Sequence, residues 1–212
     1  LACLAGLDEP DGGMVRIDGQ SLSRRSEADR AVVRARTIGM LFQSANLLEH
    51  VTVMQNVQIA QRLARGGQQP SAATVLDELG ISERSRAYPS ELSGGELARA
   101  GLAVALANQP RVLLADEPTG ELDQMNALRL ITLLRERARA GTAVVVVTHS
   151  DAVAADADRV VALRDGQVVL GPPSRHCDEA TQPAPTDPDE PPPCRCTALR
   201  PSAHAARQPS RW

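Results

Sequence analysis

Val112-Leu113-Leu114-Ala115-Asp116-Glu117-Pro118-Thr119-Gly120-Glu121-Leu122-Asp123 is the stretch from which the fold can be read. Four apolar residues in a row, halted by two carboxylates and a proline, describe a short buried strand that ends at a sharp turn. Residues 123–139 then follow helical spacing, and 142–147 are again apolar, with Ala143-Val144-Val145-Val146-Val147 at their centre. Residues 151–157 read as a helix and 159–163 as a strand. Arg164-Asp165-Gly166-Gln167 turns a hairpin into residues 168–170. Strand alternating with helix, the strands apolar throughout, argues an α/β fold with a parallel sheet covered on both faces.

Upstream, Leu1-Ala2-Cys3-Leu4-Ala5-Gly6-Leu7 reads as a helix, stopped by Asp8-Glu9-Pro10-Asp11-Gly12-Gly13. Residues 14–17 form a strand turned by Asp18-Gly19. Residues 21–35 are polar and arginine-rich, a loop with a short helix; Arg24-Arg25 and the Arg34, Arg36 pair read as solvated faces. Residues 37–42 are a strand that stops at Gln43. From 44 to about 107 the spacing turns helical: Val53, Val57 and Ala60 share a face, and Leu76, Leu79 and Gly80 close a helix begun after Pro70-Ser71. This block reads as a helical subdomain inserted in the α/β core. Beyond Gly171 prolines crowd the chain, leaving too little apolar content to offset ordering. The expected organisation is therefore one domain over 1–171 and a disordered tail over 172–212.

With 212 residues the chain can bury a proper core, and its formal charge of -3 gives no reason to expect nucleic acid as a partner. No apolar run reaches the roughly 18–20 residues of a membrane span, and no basic-then-apolar leader opens the sequence. Any membrane role is expected to run through a partner subunit. Cys3, Cys177, Cys194 and Cys196 are few and unevenly placed, which argues against a disulfide scaffold and for a reducing cytoplasm. Cys194-Arg195-Cys196 with His176-Cys177 is too sparse for a metal site. Phe42, Tyr88 and Trp212 are the whole aromatic complement, so the core must be aliphatic. All 23 residues counted as Lys or Arg are arginine.

Two clusters carry chemistry. In Leu92-Ser93-Gly94-Gly95-Glu96 a serine precedes a glycine pair that opens an apolar helix. Backbone N–H groups at such a start, with the hydroxyl, suit an anion. Asp116-Glu117 at a strand end suits a hard cation and a polarised water. Taken singly, each is ordinary: Ser-Gly-Gly is a turn, paired acids cap helices, and His149 is a surface histidine.

In this order and separation the two clusters resemble the signature and Walker B motifs of ABC-type ATPases. Leu4-Ala5-Gly6-Leu7-Asp8 is similar to the tail of the helix after that family's phosphate-binding loop, and Gly39-Met40-Leu41-Phe42-Gln43 to its Q-loop strand. Tyr88-Pro89-Ser90-Glu91 resembles the lead into the signature, Glu121-Leu122-Asp123 the D-loop, and Val147-Thr148-His149-Ser150 the switch-histidine segment. The wording, with Asn46-Leu47-Leu48, is most similar to the lipoprotein-release and macrolide-export branch.

The resemblance implies a P-loop NTPase-like core and ATP hydrolysis coupled to export or to lipid or lipoprotein extrusion. It implies a membrane-spanning permease subunit and a second ATP-binding subunit as partners, two ATP molecules sandwiched head to tail, and a peripheral place on the cytoplasmic face of the plasma membrane. Residue by residue, Asp116 would hold Mg²⁺, with Gln43 sensing the metal and the γ-phosphate. Glu117 would orient or deprotonate the attacking water, and His149 would hydrogen-bond the γ-phosphate. Ser93, Gly94 and Gly95 would meet the γ-phosphate of the opposite subunit, and Asp123 would support the dimer interface. The family's Gly-x-x-x-x-Gly-Lys-Ser/Thr loop and its preceding strand do not occur in a sequence without lysine. The expectation is an N-terminally truncated member, inactive alone; the alternative is a non-catalytic fragment that completes a partner's ATP site. Leu97-Ala98 and Val104 depart from the polar pair and the arginine usual in the signature helix.

Overall fold

The chain begins in a helical turn whose end is closed by paired bonds. Gly6 N–H donates to Cys3 O at 3.0 Å and Leu7 N–H to Ala2 O at 3.0 Å, with Gly6 at φ +64. This is the bond pair of a Schellman cap, which needs a residue free to take the left-handed conformation. The helix expected over residues 1–7 is thus realised as its closing turns. The computed structural model describes residues 1–43, 46–64 and 69–169, all within one compact unit, Leu1–Pro172. The expected tail over 172–212, with Cys177, Cys194 and Cys196, lies outside the described residues, as do Leu170, Gly171, Ser44, Ala45 and 65–68.

A two-residue hairpin follows, β1 (Arg16–Ile17) against β2 (Gln20–Ser21). Asp18 and Gly19 both have positive φ, 50 and 76, the turn whose twist matches an antiparallel pair. Helix α1 (Glu27–Thr37) is capped by Ser26 and is longer than the short helix expected. Two of its arginines correct the expectation of a solvated face. Arg34 donates to Gly6 O at 2.9 Å and to Glu27 at 3.0 Å, and Arg36 Nε to Ala64 O at 3.1 Å, so both tie α1 to its neighbours. Arg24 and Arg25 are exposed, as expected.

Strand β3 (Ile38–Leu41) starts where α1 stops. It leads to helices α2 (Val53–Leu63), α3 (Ala72–Glu78) and α4 (Gly94–Leu106), joined by 3-10 turns at Ser82–Arg84 and Pro89–Glu91. Thr52, Ser71 and Ser93 each cap the helix that follows through the side-chain oxygen. Asn56, 3% exposed, pins the loop after β3 by accepting from Leu48 N–H and donating to Leu48, Val51 and Thr52 carbonyls.

Strands β4 (Val112–Asp116) and β5 (Ala143–Val147) complete a three-stranded parallel sheet in the order β3-β4-β5. The register sets Leu41 beside Ala115 and Asp116 beside Val147. Gly39 has no room for a side chain, because a methyl there would overlap the Ala105 carbonyl oxygen of α4. Leu41, Val53, Val57, Leu76, Leu79, Leu102, Leu113 and Leu130 are all at most 2% exposed and form one aliphatic core between sheet and helices.

Helix α5 (Gln124–Arg139) covers one face of β5. On the other face Val145 is 37% and Val147 44% exposed. The expectation of a sheet covered on both faces therefore fails at β5 among the described residues. A valine run states strand preference but not how many faces are packed. Helix α6 (Asp151–Ala154) and an exposed hairpin, β6 (Ala162–Arg164) and β7 (Gln167–Val169), end the described chain. Among the described residues no helix is long and apolar enough to cross a membrane.

Candidate functional site

Parallel pairing brings the carboxyl ends of β3, β4 and β5 to one edge of the sheet, where open α/β sheets bind ligands. Gln43 follows β3, Asp116 ends β4 with Glu117 directly after it, and Thr148 and His149 follow β5. Glu117 turns away from the strand with φ +43, a left-handed value uncommon outside glycine, while its N–H still donates to Val147 O at 2.9 Å. That turn aims its carboxylate at the end of β5. His149 N–H donates to Oε1 at 2.8 Å, the His149 ring Nδ1 lies 2.8 Å from the same oxygen, and Thr148 Oγ1 donates to Oε2 at 3.1 Å. Thr148 is itself held, accepting from Ser150 N–H at 3.1 Å. Burial pushes the Glu117 carboxyl up, but the His149 and Thr148 bonds outweigh it and hold the group below its ordinary value. Glu117 is thus an ionised acceptor, its side chain 21% exposed, joined to a histidine whose side chain is 85% exposed. Asp116 is half-buried beside it on β4. Gln43 lies over the same turn, its Nε2 within 3.5 Å of where a side chain on Gly120 would begin.

The second cluster is the tip of α4. Ser93 accepts from Glu96 N–H, and Glu96 accepts in return from Ser93 N–H at 2.9 Å and from Ser93 Oγ at 2.9 Å, a reciprocal capping box. Arg84 Nε donates to Glu96 Oε1 at 2.8 Å. The Ser93 backbone bond, then Arg84, then the Ser93 hydroxyl lower the Glu96 carboxyl to about 2. A depressed folded value stabilises the fold above the unfolded value near 4.5, and that stability is lost as pH falls toward 2. Glu96→Gln is therefore expected to lower Tm by about 2–4 °C at pH 7 and to shrink the loss of Tm between pH 4.5 and 2, measured by a pH series of thermal melts.

Ser93 and Gly94 are exposed, whereas Gly95 is buried, facing Asn126 of α5. Beside the tip runs residues 121–123: a side chain begun on Gly94 would sit 3.8 Å from Leu122 Cδ2 and 4.0 Å from Glu121 O. Asp123 caps α5, accepting from Asn126 N–H at 3.0 Å and from the Asn126 side-chain amide; these bonds lower its carboxyl below the ordinary value. The structure thus joins Gln43, Glu117 and His149 in one group, with Asp116 adjoining, and Ser93, Gly94, Gly95 and Asp123 in another. Among the described residues no hydrogen bond links the helix tip to Asp116, Glu117 or His149. Arg84 and Asn126 are participants that the sequence reading missed. Asn126 could have been found from its place three residues after a capping aspartate; Arg84 leaves no such signal.

The family model for ABC transporters matches residues 1–120, and the chain belongs to the ABC transporter ATP-binding family. It is 41% identical over 179 residues to the lipoprotein-releasing system ATP-binding protein LolD 1 of Chlorobium luteolum, covering 80% of this chain and 76% of that one. It is 38% identical over 200 residues to the macrolide export ATP-binding/permease protein MacB of Rhodospirillum rubrum, covering 90% of this chain but 29% of that longer protein. Among solved structures, the ATP-binding cassette MJ0796, a dimer in a post-hydrolysis state bound to ADP and Pi, aligns with a TM-score of 0.74. The identity there is 31%, over 82% of this chain and 79% of that one.

Proposed function

We propose that this chain is the ATP-binding subunit of an exporter or lipoprotein-extruding machine, in which ATP hydrolysis drives a membrane-spanning partner that selects the cargo. The observation that carries it is the carboxylate of Glu117, fixed by His149 and Thr148 at a strand end next to Asp116. An ionised carboxylate held in place is what a water-activating group requires. On this reading Glu117 orders or deprotonates the attacking water and His149 donates to the terminal phosphate. Asp116 and the Gln43 amide oxygen are hard oxygen donors, and a single carboxylate with waters and phosphate oxygens suits Mg²⁺. When bound, Mg²⁺ neutralises phosphate charge during transfer. Ser93, Gly94 and Gly95 present a capped helix start to the nucleotide of a second ATP-binding subunit, with Asp123 at the interface between them. The subunit sits peripherally on the cytoplasmic face of the plasma membrane, as a domain over 1–171 whose helical subdomain spans about 44–107.

The sequence contains no lysine, so on this reading these 212 residues by themselves do not turn over ATP. The test is phosphate release by the chain alone and by a fusion carrying a strand and a Gly-x-x-x-x-Gly-Lys-Ser loop ahead of Leu1. The fusion should hydrolyse Mg-ATP and the chain alone should not. An inactive but folded, nucleotide-bound fusion would overturn the assignment.

A further inference from the structure

Gly95 and Asp123 belong to different elements, yet one side chain touches both. The Asn126 amide nitrogen donates to Asp123 Oδ2, and the Asn126 backbone N–H donates to Asp123 Oδ1 at 3.0 Å, so both carboxylate oxygens are held by the same residue. The amide carbonyl end of that side chain rests against Gly95, where a methyl group would overlap it. Gly95 is buried, while Gly94 beside it is exposed with nothing nearer than 3.8 Å to an added side chain. The two glycines therefore have different reasons to lack side chains. Gly94 leaves open surface, and Gly95 leaves room for Asn126.

We infer that Asn126 is a positioning residue that locks the tip of α4 to the carboxylate of Asp123, so that the two segments shift together rather than independently. The inference rests on the reading of Ser93, Gly94 and Asp123 as parts of an intersubunit nucleotide contact. What it adds is how they keep a common placement. A neutral amide is the group the position needs. Its nitrogen donates to a carboxylate, and its oxygen, which donates nothing, lies flat against a glycine. An aspartate of the same shape would set two carboxylates against each other, and an alanine would leave Asp123 with backbone donors alone.

The experiment combines Gly95→Ala and Asn126→Ala, singly and together, in the full chain, read by Tm. Gly95→Ala should lower Tm, and its effect should shrink at least twofold when Asn126 is already alanine, because the overlapping group is gone. Equal effects in both backgrounds would overturn the inference. Should Gly95→Ala fail to fold, Asn126→Asp supplies the second arm, through the backbone amide spectrum of labelled protein. It should move the resonances of Ser93 and Gly94 on one side and of Asp123 and Gln124 on the other. Movement confined to α5 would also overturn the inference. Neither measurement uses nucleotide, so its failure leaves the intersubunit reading intact, and failure of that reading leaves the coupling untouched.

Discussion

Glu117→Gln is expected to reduce ATP turnover by about 10³-fold in the fusion that carries a phosphate loop, while Mg-ATP affinity stays within about twofold of the parent. The geometry explains why the loss should fall on the chemical step. Glutamine keeps the shape of the side chain and can still accept from His149 through its carbonyl oxygen, while its NH2 group takes the place of the oxygen that Thr148 binds and donates to that hydroxyl instead. It cannot hold negative charge, so a water beside it is neither polarised nor relieved of its proton. Asp116, the neighbouring carboxylate, ends β4 and is not the group that Thr148 and His149 hold. Phosphate release under saturating Mg-ATP, with nucleotide binding measured separately, checks the division. Unchanged turnover would remove Glu117 from the role of base.

Leu102→Ala is expected to destabilise the fold by about 4 kcal/mol. Leu102 is 0% exposed in the middle of α4, packed within the cluster that includes Leu41, Val57, Leu76 and Leu113. Every member of that cluster is aliphatic, with no aromatic ring to swing into the space a truncation leaves. The surroundings are helices already close to one another, including the α4 carbonyl that presses on Gly39, so collapse into the void is limited. A loss of about 4 kcal/mol is a large part of the ordinary 5–15 kcal/mol margin. Urea unfolding should show a lower midpoint with an unchanged m-value; a cost below about 1 kcal/mol would mean the core repacks.

The strand and helix alternation from residue 112 to 154 was legible because apolar runs, capping residues and turn residues agree with one another there. Asp123 caps α5 there, and Ser71 and Ser93 likewise cap the helices that the sequence begins after them. The sheet edge at β5 was not legible. Strand composition reports preference, whereas exposure depends on which element is placed opposite, and that is a property of the packed chain. At the site, proximity of Glu117 and His149 followed from two neighbouring parallel strands ending together. The identity of the bond between them did not, since it depends on the backbone of Glu117 entering a conformation few residues adopt. Arg34 and Arg36 were misjudged for a related reason. A charged side chain is assigned to water until a carbonyl at the end of another helix is seen to take its hydrogen bond.

The positive φ of Glu117 also sets backbone comfort against side-chain chemistry at a single residue. Glycine and asparagine occupy that region with less strain than glutamate, so either would ease the bend while removing the carboxylate that Thr148 and His149 bind.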